Sequence, residues 1–185
     1  IVIVSGLPRS GTSMMMRMLE VGGIEVLKDG IREADEDNPK GYYEFERTKQ
    51  VKEDQAWLET AKNKAVKMIS MLLPELPSQH SYRVIFLKRD LGEILASQRK
   101  MLERNGKMDE SLGDEEMGRL YQRHLREIES WLEERENFRT LYANYNQLLE
   151  NPEEQVGRVN HFLGGELDEE KMVGVIDRNL YRNRN

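Results

Sequence analysis

The sequence contains no cysteine, which excludes disulfides, a thiol nucleophile and thiolate metal sites. Its three histidines, His80, His124 and His161, stand far apart and show no metal-ligand spacing. They read as structural residues at the surface or partly inside, and no metal is expected. No apolar run approaches the ~18 residues of a membrane span, and residues 1–4 are too short for a signal-peptide core. The expectation is a cytoplasmic protein without a membrane span. An excess of positive charge is also missing, since 28 Lys+Arg face 34 Asp+Glu for a net charge of −6. General nucleic-acid binding needs a basic surface, so nucleic acid is not an expected partner. There is no internal repeat and no low-complexity linker. At 185 residues the chain fits one domain, residues 1–185, with enough length to bury a core.

What is present begins at the first residue. Ile1, Val2, Ile3 and Val4 form a short β-branched apolar run, the pattern of a buried strand. A loop from Ser5 to Gly11 follows, and from Thr12 the sequence reads as helix to about residue 21. A strand, a glycine-containing loop and a helix N-terminus make an anion site, because unpaired N–H groups and the helix dipole converge there. Gly6 and Gly11 have the spacing of the glycines in a nucleotide-triphosphate loop, but Thr12 stands where that loop carries its lysine. The cation here is Arg9, with hydroxyls from Ser10, Thr12 and Ser13.

Two further strand ends carry chemistry. Residues 84–88 read as a buried strand that ends in Lys88, Arg89 and Asp90, followed by a helix over residues 91–103. Charges at the carboxyl end of a parallel strand lie where open α/β sheets bind ligands. Arg89 precedes Ser97 by eight residues, far enough to join a strand end to a hydroxyl on the next helix. The local alternative pairs Arg89 with Asp90 and leaves Ser97 solvated. Residues 138–142 look like another strand and lead to Tyr145, read either as a ligand contact or as a core or edge tyrosine.

The remaining pattern supplies a short strand at residues 24–27, a polar loop over 28–41 and a helix over roughly 45–62. A strand at 65–71, an amphipathic helix over 114–136 and helices over 152–163 and 168–176 complete it. Pro152 and Gly164 mark the start and stop of the first of those last two helices. Residues 103–113 are charged and aperiodic, the best candidate for a mobile lid. The methionines Met14, Met15, Met16 and Met18 read as core packing. Alternating strands and helices imply an α/β fold, a parallel sheet flanked by helices on both faces.

The loop Leu7-Pro8-Arg9-Ser10-Gly11-Thr12-Ser13 resembles the 5′-phosphosulfate loop, P-[KR]-S-G-T-[TS], of sulfotransferases that use 3′-phosphoadenosine 5′-phosphosulfate (PAPS). Arg89 and Ser97 resemble the arginine and serine with which that family holds the 3′-phosphate. Residues 145–152, Tyr-Asn-Gln-Leu-Leu-Glu-Asn-Pro, resemble its Y-E-D-L-x-x-N-P segment, with Asn146 and Gln147 replacing the acidic pair. The three matches run in the family's order over most of the chain, which begins directly at the first strand, as a trimmed or compact member would.

The resemblance implies a P-loop sulfotransferase fold, with PAPS as co-substrate, no metal, and a hydroxyl or amine acceptor. Pro8, Arg9, Ser10, Gly11, Thr12 and Ser13 would hold the phosphosulfate, Arg89 and Ser97 the 3′-phosphate, and Tyr145 would lie near the adenine. In the cytosolic branch a histidine in a K-T-H segment is the base, but Ile69 occupies that place beside Lys67. Residues 38–46 resemble the N-P-x-G-[YF]-[FY]-E element of bacterial members, which makes Glu44 the candidate base and Lys67 and Arg9 the catalytic cations. Glu44 is equally a glutamate at a helix start, stabilising its dipole, and with Glu46 two residues further on the base is Glu44, Glu46 or neither. Arg182, in a tail like that ending some bacterial members, either reaches the co-substrate or is loose. A P-loop nucleotide kinase and a non-catalytic nucleotide-binding module are the rival readings. The sequence leaves the acceptor and the oligomeric state open.

Overall fold

The structure, a computed structural model, describes residues 1–31, 41–104, 106 and 113–176. Its sheet is made of β1 (Val2–Gly6), β2 (Val26–Leu27), β3 (Ala65–Lys67), β4 (Tyr82–Lys88) and β5 (Phe138–Asn144). All pair in parallel, in the order β2-β3-β1-β4-β5. The helices are α1 (Thr12–Val21), α2 (Leu91–Arg104), α3 (Asp114–Glu133), α4 (Tyr145–Glu150), α5 (Pro152–Leu163) and α6 (Glu169–Gly174).

Alternation along the strands splits the core in two. Ile3, Val84 and Phe86 face one side and pack with Trp57, Leu73 and, from α3, Ile128 and Leu132. Val4, Ile85 and Leu87 face the other side, against α1, α5 and α6. Successive side chains of a strand point to opposite faces, so a strand segment buried on both sides must be apolar at every position, as residues 2–4 of β1 and 84–87 of β4 are. The expected α/β sheet with helical cover on both faces is the observed fold. Met15, Met16 and Met18 are fully buried on the α1 side and Met14 packs against them, as expected of core methionines.

Several boundaries differ from the sequence pattern. The helix expected over 45–62 is two 3-10 turns, Glu46–Gln50 and Ala56–Glu59. Asp54 interrupts it: its side chain accepts the Ala56 N–H at 3.1 Å and is held by Arg47 at 2.8 and 3.0 Å. Side chains that capture nearby backbone groups compete with helix, and the Thr48 and Thr60 hydroxyls donate in the same way to the Phe45 and Trp57 carbonyls. The strand expected over 65–71 ends at Lys67, and a 3-10 turn, Ser70–Glu75, with Pro74 inside it takes over. β1 runs on to Gly6, and α2 extends to Arg104, into the stretch expected as a lid. The rest of that stretch, apart from Gly106 and Gly113, lies outside the described residues, as do Arg182 and residues 32–40.

Candidate functional site

Parallel strands place all their carboxyl ends on one edge of the sheet, and the sequence-selected residues gather there. The β1–α1 loop comes first. Gly6 and Gly11 have φ of 148° and 99°, and between them Arg9 also has a positive φ, 69°. A non-glycine residue in that region is held there by its surroundings. A Cβ on Gly6 would meet Ser10 Oγ at 2.6 Å and the Leu87 carbonyl at 2.7 Å. The loop therefore folds tightly over the end of β4. The N-cap of α1 is Gly11, which has no side chain to cap the first turn, and the opening amides of a helix have no partner within it.

The loop residues do different things. Pro8 is exposed at the tip. Ser10 is fully buried, its amide donates to the Leu7 carbonyl at 3.2 Å, and its hydroxyl has no partner among the described residues. Ser10 thus sits beneath the loop and shapes it, while Thr12 and Ser13 stand half-buried at the helix start. Arg9 Nε donates to Ser97 Oγ at 2.9 Å.

The structure brings Arg89 to the same place. Its Nη1 donates to the Arg9 carbonyl at 3.0 Å, and its guanidinium lies 4.5 Å from the centre of the Tyr145 ring, a cation–π geometry. Arg89 does not pair with Asp90. Its Nε donates instead to Glu93 at 2.8 Å, with both side chains under a tenth exposed. Asp90 accepts the Glu93 N–H at 3.0 Å and so caps α2. Ser97, one helical turn on, is buried rather than solvated. Tyr145, at the start of α4, is buried as well, and burial pushes its phenol up against the opposing influence of Arg89. Asn146 Nδ2 donates to the second Glu93 oxygen at 3.0 Å. Glu93 is the residue that the sequence reading missed. The signal was Asp90-x-x-Glu93, the spacing of a helix-capping pair.

A second group forms beyond the end of β3. Lys67 Nζ donates to the Tyr42 carbonyl and to Ser13 Oγ, the latter at 3.4 Å, and lies 3.8 Å from Glu44. Ser13 Oγ also donates to the Tyr42 carbonyl, at 3.1 Å. Glu44 stands before the first 3-10 turn, whose N-cap is Phe45, so it is not a first-turn glutamate. Its carboxylate turns instead toward Lys67 and toward Lys49 at 3.6 Å. Tyr43, next to it, has a φ of 54° and donates its hydroxyl to Glu20 at 2.7 Å. Glu46 is further out and pairs with Lys49 at 2.6 Å. Ser13 joins the two groups through α1.

Among the described residues no group of three His, Cys, Asp or Glu could hold a metal ion, and no helix is long and apolar enough to cross a membrane. His124, on α3, is bonded to Ser70 Oγ at 2.8 Å.

Comparison with known proteins bears on the fold first. The sulfotransferase domain from the curacin biosynthetic pathway superposes with a TM-score of 0.59 at 14% identity, over 97% of this chain and 78% of that one. The sulfotransferase domain of the Synechococcus PCC 7002 olefin synthase gives 0.57 at 16% identity, over 100% and 82%. Retinol dehydratase, in a complex with retinol and PAP, gives 0.55 at 17% identity, over 98% and 66%. No curated protein matches the chain by sequence. The family model described as "Sulfotransferase domain" matches residues 1–183, and the chain belongs to the sulfotransferase family.

Proposed function

We propose that this sulfotransferase takes its sulfuryl group from PAPS and delivers it to a hydroxyl or amine acceptor. The observation that carries the reading is the meeting of Arg9 and Arg89. They come from two different strand ends, are joined at 3.0 Å through the Arg9 carbonyl, and have Ser97 at 2.9 Å and Tyr145 at 4.5 Å beside them. A nucleotide with phosphate at both its 5′ and 3′ positions needs two anion sites that close to an aromatic surface. Guanidinium groups bind phosphate with charge-assisted, paired hydrogen bonds.

In this reading Arg9, Gly11, Thr12 and Ser13 receive the 5′ end against the uncapped start of α1. Arg89 and Ser97 receive the 3′-phosphate, and Tyr145 lies by the base. Pro8 and Ser10 hold the loop's shape. Glu44 takes the acceptor's proton. As the acceptor oxygen or nitrogen bonds to sulfur, the bond from sulfur to the phosphate oxygen breaks, and 3′-phosphoadenosine 5′-phosphate (PAP) leaves. Lys67 stands between Glu44 and Ser13, where it can orient the carboxylate and offset charge growing on the departing group. Arginines, a lysine and helix amides supply that stabilisation, so the reading needs no metal.

The test is a titration of PAP, AMP and ATP with magnesium, followed by transfer from labelled PAPS to a panel of hydroxyl and amine acceptors. A clear preference for PAP over AMP is expected, with label transferred to at least one acceptor. Preference for ATP with magnesium would replace this reading with a kinase, and PAP binding with no transfer to any acceptor would leave a binding module.

A further inference from the structure

A buried carboxylate beside an anion site is a physical problem. Glu93 is 7% exposed and lies 2.8 Å from Arg89, the residue assigned above to the 3′-phosphate. By charge alone it should repel that phosphate. Its surroundings give it another use. Three bonds fix Glu93: its N–H to Asp90 at 3.0 Å, one oxygen to Asn146 at 3.0 Å and the other to Arg89 Nε at 2.8 Å. Arg89 is in turn fixed on three sides, by Glu93 at Nε, by the Arg9 carbonyl at Nη1, and by the Tyr145 ring at its face. Arginine carries about 2 kcal/mol of rotamer entropy. A guanidinium held in this way has lost that freedom before any ligand arrives.

We propose that Glu93 is the positioning residue of the 3′-phosphate site, holding Arg89 in its binding orientation, with Asn146 holding Glu93. The inference rests on the assignment of Arg89 to the 3′-phosphate. It also gives a reason for the neutral side chain at 146. An acidic residue there would set a second carboxylate against Glu93 where a 3.0 Å hydrogen bond now stands, and like charges so close disfavour ionisation of both.

Calorimetric titration of PAP and AMP tests this on the wild type, Arg89→Ala, Glu93→Ala, Glu93→Gln and Asn146→Asp, with a melting curve for each. Glu93→Ala is expected to weaken PAP on the order of 10- to 100-fold, the scale of a hydrogen bond to a charged group, and to leave AMP nearly unchanged. Glu93→Gln keeps an oxygen for Arg89 Nε and should recover most of the loss. Asn146→Asp should weaken PAP selectively, and it carries the test if Glu93→Ala does not fold. Tighter PAP binding by either Glu93 variant would overturn the proposal, because the carboxylate would then simply oppose the phosphate. Equal loss of PAP and AMP with a lowered Tm, not restored by Gln, would make Glu93 a fold residue and overturn it too. Arg89→Ala separates the two levels of the argument. If it leaves the PAP-to-AMP ratio unchanged, the 3′-phosphate assignment fails and takes the inference with it. If it changes the ratio and neither Glu93→Ala nor Asn146→Asp does, the positioning role alone fails.

Discussion

Gly11 and Tyr145 compete for one space: a Cβ on Gly11 would lie 2.4 Å from Tyr145 Cδ2 and 2.9 Å from Cε2. The glycine is also at φ 99°, where side chains are strained. Two requirements therefore coincide at this residue, a left-handed turn and a close aromatic neighbour. Gly11→Ala should move Tyr145 off Arg89 and weaken PAP binding on the order of tenfold or more, the scale of losing a desolvated cation–π contact together with backbone strain. Tyr145→Ser removes the ring without adding strain at Gly11. If its PAP affinity equals that of the wild type, the ring contact has no part in the effect.

Ser97 offers a second check, because its hydroxyl accepts from Arg9 Nε at 2.9 Å and is buried. A hydroxyl can accept from Arg9 and donate to a phosphate at the same time. Ser97→Ala should then weaken PAP by about 1.5–3 kcal/mol, as expected for hydrogen bonds to charged groups, and weaken AMP less through the loosened Arg9. The two titrations decide it. An AMP loss as large as the PAP loss would show that Ser97 acts through Arg9 alone.

His124 sets an acid limit on stability. Burial pushes its imidazole below the ordinary histidine value, against a smaller opposing effect from Glu127. The folded ring therefore resists the proton more than the unfolded one does. Above the unfolded value both are neutral and the stability is fully present. As pH falls through that value and then the lower folded one, the unfolded chain binds the proton first and stability is lost. Melting curves from pH 7.5 down to 5 should show a falling Tm for the wild type and a shallower fall for His124→Gln. Parallel curves would remove His124 as the cause.

The ends of the fold were readable where local signals and burial agreed. Val2 to Val4 and Val84 to Leu87 are apolar at every position because both sheet faces are covered. Pro152 and Gly164 bracket α5 by the asymmetry of helix ends. The segment around Val51 and Trp57 failed because its apolar spacing said helix while Asp54, Thr48 and Thr60 spent their side chains on the backbone. That choice depends on Arg47 fixing Asp54, and in a helix residues seven apart would stand about 10 Å from each other along the axis, beyond the reach of the usual i,i+3 and i,i+4 pairs. In the site, the cations were visible from their place at strand ends. Their partners were not. Arg89 has acidic residues at both 90 and 93, and only the capping geometry of α2 decides that Asp90 turns back to the helix while Glu93 turns to the arginine.

Glu44 lies 3.8 Å from Lys67 and 3.6 Å from Lys49, with its side chain 18% exposed, whereas Glu46 is 39% exposed and 2.6 Å from Lys49. Lys67 also contacts Ser13 at the start of α1, so Glu44 is tied to the loop that would hold the donor and Glu46 is not. Glu44→Gln preserves size and removes the ability to take a proton. If Glu44 is the base, kcat should fall by about 10²–10⁴-fold, the usual share of a positioned general base, while PAP affinity stays within a few-fold of wild type. Glu46→Gln should leave kcat close to wild type and cost little stability, since exposed ion pairs contribute roughly 0–1 kcal/mol. Steady-state rates with a working acceptor, paired with PAP titrations, separate the cases. A loss of PAP affinity as large as the loss of kcat would mean that Glu44 serves only to hold Lys67. A full rate effect at Glu46 would move the base two residues along the chain.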